Sequence, residues 1–245
     1  MMGSPIGKYT KYKFMKEHSV IAPHLPATAL LTEQSFSDYL DRFNIVIVKP
    51  CRGYKGIGVV QIRLLNGTNI EIQSGLSKTV FESKGEAFSS LKKNHLFKKR
   101  RYIIQERIPL TTINGCPFDI RVLVQRKKSS YQWAVTGILV RVAAKGYFVT
   151  NFAKAVMTVE EALEKSGARG LDANKVVEKL NEVGLNSANI LQEHYPTARR
   201  IGLDVGLTED GHISILEANL GPDLAMFKFL KNKSVYEKIR MYRKG

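Results

Sequence analysis

The sequence predicts an α+β fold, in which antiparallel sheets carry helices on their faces, and not the strict βαβα alternation of a doubly wound sheet. Three observations predict it. Strand-like runs follow one another directly across short turn signals, at Asn66-Gly67 and at Asp210-Gly211; antiparallel hairpins allow this and parallel crossovers do not. Helical patterns come in groups between those runs. Hydrophobic residues make up 44% of 245, enough for a buried core and too many for a disordered chain.

Residues 8–18 and 32–43 read as helices, the second with Thr32 as N-cap and an acidic first turn. Asn44 to Pro50 is a β-branched run expected of a strand buried on both faces. Val59–Leu65 and Thr68–Gln73 alternate around Asn66-Gly67, a hairpin. A helix over 85–97 leads to a strand, Tyr102–Ile108, and strands at 118–126 and 131–142 flank a basic turn. Thr158 and Glu161 form a capping box for the next helix, with Gly167 placed to close it. A helix over 172–194 carries Val176, Leu180 and Val183 on one stripe. Strands at 199–208 and 212–219 follow, then a Lys-rich helix. The expected division is a helical lead-in over 1–43, a small lobe over 44–108 and a large lobe over 109–245.

Lys and Arg total 38 against 22 Asp and Glu, a formal charge of +16. That field attracts anions: nucleic acid, acidic lipid or a nucleotide. Two cysteines, Cys51 and Cys116, give no disulfide framework and no zinc ribbon, which implies a reducing, cytoplasmic compartment. The five histidines never fall at the helical spacing of a metal pair. Pro23, His24 and Pro26 interrupt the one run that resembles a signal peptide, and no stretch reaches the ~18 apolar residues of a membrane span.

The chemistry concentrates in Ile201 to Pro222. A two-residue type I′ turn at Asp210-Gly211 pairs Glu209 with His212, and counting back sets Asp204 opposite Glu217. Opposed residues hold their β-carbons only ~4.5–5.5 Å apart. Asn219 projects from the same face as Glu217. Oxygen ligands of this kind suit Mg²⁺ or Mn²⁺ shared with phosphates, although a solvated polar hairpin face would read the same way. The run Val48 to Gly58 ends a buried strand in Lys49 and enters a loop holding Gly53, Lys55, Gly56 and Gly58. Its glycines let backbone N–H groups approach phosphate, but no Walker pattern is present. Gln105, Glu106, Arg107 and Ile108 close a strand whose edge could face an adenine, with Glu106 toward a ribose. Asp119 and Arg121 share one sheet face, and Arg141 and Asn151 follow, so the arginines are candidates to hold a phosphoryl group.

The order V-K-P with a glycine loop, Q-E-R-I, D-I-R, then a distal Asp with E-x-N-x-x-P (Glu217 to Pro222) resembles the ATP-grasp superfamily. The phrases FDIRVLVQR, VTGILVRV and VTNFAKA resemble its YheC/YheD group, proteins described as endospore coat-associated. The resemblance runs from about Lys8 to Leu230. It implies two α+β lobes gripping ATP, with Lys49 on the α/β-phosphates, Gly53 to Gly58 covering them, and Gln105 to Ile108 as the adenine hinge. It further implies that Asp204, Glu217 and Asn219 hold Mg²⁺ or Mn²⁺, and that Arg121, Arg141 and Asn151 position the γ-phosphate or an acyl phosphate. Lys8 would be an additional nucleotide lysine.

The implied reaction is carboxylate–amine ligation through an acyl phosphate, on unknown carboxylate and amine substrates, with an acidic peptide or protein as one candidate. Two departures stand out: many relatives have Gly-Gly after the Asn of V-T-N, where Ala153 and Lys154 follow Phe152 here, and relatives usually carry an α/β domain before the core, which leads to the expectation that a substrate-binding element is either absent or supplied by another subunit. The alternatives are a non-catalytic ATP-binding coat or scaffold protein associated with spores, an ATP-grasp kinase, and a nucleic-acid-binding protein. The last rests on 12 Lys/Arg against three acids between Lys84 and Tyr131, with no nucleic-acid-binding motif beside them.

Overall fold

The structure, a computed structural model, describes residues 7–53, 56–96, 100–150, 153–168 and 170–244. The chain opens with α1 (Lys8–Lys16), a 3₁₀ turn (Ala22–His24) and β1 (Thr28–Leu30). Next come α2 (Glu33–Phe43), β2 (Ile45–Pro50), β3 (Val60–Leu65), β4 (Asn69–Ser74), β5 (Ser77–Phe81), α3 (Lys84–Asn94) and β6 (Tyr102–Glu106). The second half runs β7 (Thr112–Ile113), β8 (Cys116–Gln125), β9 (Ala134–Ala143), β10 (Ala153–Met157), α4 (Val159–Lys165), α5 (Ala173–His194), β11 (Arg200–Leu207) and β12 (Ile213–Asn219). A 3₁₀ turn (Ala225–Phe229) and α6 (Lys233–Lys244) complete it. No helix among the described residues is long and apolar enough to cross a membrane.

The first sheet has the order β1-β6-β2-β3-β4-β5, and the second β10-β9-β8-β11-β12 with β7 paired to β8. All pairings are antiparallel. In the first sheet Val46, Val48, Ile62, Ile72 and Ile104 turn to one face and pack on Phe36, Leu40, Phe88 and Leu91 of α2 and α3. Alternation sends Lys49, Gln61, Gln73 and Gln105 to the other face. These polar residues are nonetheless buried, because that face meets the second half of the chain: Lys49 reaches the Leu216 carbonyl and Gln73 the Gly146 carbonyl.

The second sheet buries Ile120, Val122, Leu203 and Val205 against Val176, Leu180 and Val183 of α5 and Met15 of α1. Its opposite face is divided. Leu123 and Leu139 lie under Phe227, Leu230 and Ile239 of the closing segment, while Asp119, Arg121, Arg141, Asp204 and Glu217 remain for the cleft. Gly137 lets the closing segment sit down, since a Cβ there would stand 2.6 Å from the Phe227 ring and 3.0 Å from Ile239 Cδ1. Gly137→Ala is therefore expected to cost about 1–3 kcal/mol by overpacking, read as a lower denaturant midpoint at unchanged slope.

Thr32 caps α2 through Ser35, and Thr158 with Glu161 boxes α4 as the sequence predicts. Gly167 does not close α4, because the helix ends on Ser166 in extended backbone. Asn66 and Gly67 both adopt positive φ, 49° and 76°, as a type I′ turn requires. The β11–β12 turn differs from expectation. Thr208 pairs with His212 across a three-residue loop in which only Gly211 has positive φ, 86°, so Glu209 does not pair with His212. A bulge between Val205↔Ile215 and Asp204↔Glu217 shifts the register back by one. The longer loop and the bulge cancel, and Asp204 stands opposite Glu217 as the sequence count predicts.

Candidate functional site

Lys49 is the penultimate residue of β2, and its stem is fully enclosed between the sheets. Its ammonium donates to Gln105 Oε1 at 2.7 Å and to the Leu216 carbonyl of β12 at 2.9 Å. Gln105 is itself held by Thr28, whose hydroxyl accepts from Nε2 at 2.8 Å. Burial lowers the Lys49 pKa to about 8, against the pull of Glu217 and with Lys8 adding to the drop.

Glu217, one residue past Leu216, meets Lys8 of α1 at 3.0 Å. Lys8 also donates to the Gly53 carbonyl at 3.1 Å, which ties the glycine loop to this corner. Gly56 and Gly58 hold φ of 67° and 76° in that loop, a conformation side chains disfavour. One helical turn beyond Lys8, Lys11 is 4% exposed. Burial lowers it to about 8 as well, with Glu217 opposing.

On the second sheet, Asp204 Oδ1 accepts from Arg121 Nε at 2.6 Å and pairs with Arg141 Nη2 at 3.1 Å. Burial opposes its charge, yet Arg141 and Arg121 hold the carboxyl below its usual range. Arg141 is also gripped by Asp119 through two bonds, Nε to Oδ1 at 2.8 Å and Nη2 to Oδ2 at 2.5 Å, and Thr150 donates to the same Oδ2 at 2.5 Å. Although burial works against its charge, Arg141 is held more firmly protonated than a free guanidinium because Asp204 and Asp119 both lie on it.

The site residues expected from the sequence thus divide. Lys8, Gly53, Lys49, Gln105, Arg121, Arg141, Asp204 and Glu217 form one connected corner between the sheets. Glu106, next along β6 from Gln105, faces the other way, and its Oε2 accepts the Ala27 N–H at 3.1 Å. Arg107 donates to Gln61 Oε1 at 3.1 Å and to the Ile108 carbonyl, and burial beside Arg63 pushes it down to about 10. Ile108 packs over β11 near Gly206. Asn219 ends β12 opposite Gly202. Lys55 and Asn151 lie outside the described residues. Lys11, Asp119 and Thr150 are not among the expected residues; the signal for Lys11 is its place on the face of α1 that carries Lys8.

Asp204, Glu217 and Asn219 supply only oxygen donors toward a cation, the set that suits Mg²⁺ or Mn²⁺. The protein's own cations occupy one oxygen of each carboxylate, Asp204 Oδ1 and Glu217 Oε1. Oδ2 and Oε2 have no protein donor among the described residues, so the donor chemistry of the set fits such an ion, although no three His, Cys, Asp or Glu side chains among the described residues gather closely enough to hold one by themselves.

Two antiparallel sheets closing on a lysine, paired carboxylates and a glycine loop define an ATP-grasp fold. The chain belongs to the YheC/D-like ATP-grasp family, whose profile matches residues 3–243. It is 24% identical over 228 residues to the endospore coat-associated protein YheD of Bacillus subtilis (strain 168), covering 90% of this chain and 49% of that protein. To YheC of the same organism it is 25% identical over 224 residues, 88% of this chain and 59% of that one. The chain thus spans about half the length of these relatives.

Among solved structures it resembles the D-alanine-D-alanine ligase of Coxiella burnetii, with TM-score 0.55, 11% identity, and coverage of 97% of this chain and 56% of that one. The ATP-grasp ligase PsnB with a minimal precursor gives TM-score 0.53 at 13% identity over 96% of this chain and 59% of that one. The ADP complex of the N5-carboxyaminoimidazole ribonucleotide synthetase purK gives 0.51 at 14% identity over 91% and 46%. At such identities the likeness is one of fold.

The lysine at β2 has a pH signature. Protonated, it can meet an anion; bound phosphate in turn favours the ammonium and draws its pKa upward. With ATP held at this corner, as proposed below, its affinity is expected to fall between about pH 7 and 9, with proton uptake on binding near pH 8, measured by calorimetry in buffers of different ionisation enthalpy. Stability moves oppositely. From about 8 to the unfolded 10.5 the unfolded chain holds a proton the folded one lacks, so this residue's contribution improves as pH rises through that window. In Lys49→Met both slopes shrink, leaving the share carried by Lys11.

Proposed function

We propose that the protein is an ATP- and Mg²⁺-dependent ligase that joins a carboxylate to an amine through an acyl phosphate. The observation that carries this reading is the convergence, from both sheets, of five cations (Lys8, Lys11, Lys49, Arg121, Arg141) on three carboxylates (Asp119, Asp204, Glu217). The surplus of positive charge suits a polyanion, and the two free carboxylate oxygens suit its counter-ion.

In this reading Lys49 and Lys8 neutralise the phosphates and Gln105 orients Lys49. Asp204, Glu217 and Asn219 hold the metal, which when bound screens the phosphate charge. The substrate carboxylate oxygen bonds to the γ-phosphorus as the bond to ADP breaks, with Arg121 and Arg141 set to stabilise the transferring group. The amine then bonds to the acyl carbon, phosphate leaves, and the amine proton passes to solvent. Positioning and charge neutralisation carry most of the barrier reduction.

The test is ATP turnover against a panel of amino acids and acidic peptides, with product masses measured. ADP and phosphate formed together with a condensed mass support ligation. A phosphorylated hydroxyl without condensation would make the protein a kinase. Tight ATP binding without turnover on any pair would favour a non-catalytic role in a protein whose relatives are named as endospore coat-associated.

A further inference from the structure

A cavity of about 730 Å³ opens away from the lysine corner, between the lead-in around Pro23 and Pro26, the end of β6 with Ile108 to Leu110, and the β11–β12 turn. Neither Lys49, Gln105, Asp204, Leu216 nor Glu217 lines it. Its volume is that of a small-molecule site.

The lining has an unusual charge. In a chain with 38 Lys and Arg against 22 acids, the cavity wall holds Glu106, Glu209 and Asp210, and no lysine or arginine among the described residues. Glu106 spends Oε2 on Ala27, and Asp210 spends Oδ1 on the Thr208 hydroxyl and the His212 N–H. Their second oxygens have no donor among the described residues.

A second feature points the same way. Ser214 lines the cavity and is 2% exposed, yet its hydroxyl has no hydrogen-bond partner among the described residues. The residue is otherwise enclosed, so what remains open of its hydroxyl faces the cavity, free to meet a group bound there. The imidazole of His24 donates from Nδ1 to the Ile213 carbonyl at 2.8 Å and stacks on His212 with centroids 5.9 Å apart, which fixes the wall beside Ser214. The prolines and leucines complete an apolar body with an acidic rim.

We propose that this cavity binds an organic cation, an amine or guanidinium on an apolar stem, as a free compound or as the basic side chain of a peptide. The carboxylates answer the charge, Ser214 accepts one of its N–H groups, and the apolar wall covers the stem. An occupant touches the end of the first sheet and a turn of the second, so it links the two. The inference stands whether or not the protein is a ligase.

Calorimetric titration with agmatine and with a blocked arginine tripeptide amide tests it and separates the two sources. Saturable binding is expected for at least one, weakened about tenfold by Glu209→Gln and by Ser214→Ala, reduced by salt, and accompanied by a rise in melting temperature. Agmatine alone would mark a small-molecule site; the peptide alone would mark a side-chain pocket. Absence of binding to both, or binding untouched by both substitutions, overturns the proposal. So does full displacement by ATP, which would place the probe in the lysine corner.

Discussion

Asp119→Ala is expected to lose about 3–5 kcal/mol of stability, the cost of leaving a buried charge without its partner. Asp119 and Arg141 face each other across β8 and β9, both about 95% buried at the side chain, with two bonds between them and Thr150 on the outer oxygen. Asp204 stays within 3.1 Å of Arg141, so the loss should fall toward the lower end of that range. Thr150→Val removes a single hydrogen bond and should cost about 1 kcal/mol. The double change Asp119→Leu/Arg141→Met should recover part of the single loss, because neither member of the pair is left as a lone buried charge, while Asp204 keeps Arg121 and only the Thr150 hydroxyl loses its acceptor. Urea unfolding of the parent and the three variants measures these losses. Equal losses in Asp119→Ala and in the double variant would show that volume, not charge, holds this part of the sheet.

The fold is legible where local rules and tertiary position agree. Val46, Val48, Ile62 and Ile104 alternate as strands do and end in one core; Thr32 and Thr158 sit at helix starts as capping chemistry demands. The strands the sequence does not announce are β1, β5 and β10, each at a sheet edge. β5 is exposed along most of its length, so no apolar alternation marks it, and β1 has only three residues. The hairpin at Asn114-Gly115 is a different case. Both residues have positive φ, 51° and 73°, and the dipeptide is the same signal that marks Asn66-Gly67.

The site is legible by residue type more than by direction. Lys49, Asp204, Glu217 and the two arginines meet because the strand count and the alternation rule fix their faces. Glu106 illustrates the limit: the strand places it beside Gln105 in sequence and on the opposite side in space. Lys11 was hidden for another reason. A lysine on a short amphipathic helix reads as solvated, and only the packing of α1 on the second sheet buries it.

That burial makes Glu217→Gln the most informative change at the corner. In the proposed function it removes a metal ligand and should lower turnover about 10²–10³-fold, the scale for losing one preorganised charge at a reacting phosphoryl group. Metal-free ATP binding should respond in a second, separable way. Glu217 pairs with Lys8 and raises the pKa of both Lys11 and Lys49, against the burial that still brings each down to about 8. Without it both lysines release their protons at lower pH. Near pH 6.5, where they remain charged, the variant should bind metal-free ATP more tightly than the parent, because a repelling carboxylate is gone. Near pH 8.5 it should bind more weakly, because the cations are gone as well. The two affinity curves should therefore cross, while the gain in affinity on adding Mg²⁺ is lost at both pH values. Curves that stay parallel would mean that Glu217 does not govern the lysines. An undiminished Mg²⁺ gain would remove it from the metal site. Asp204→Asn supplies the contrast, since its partners are arginines that stay charged throughout this range; it should lose the Mg²⁺ gain with far less dependence on pH.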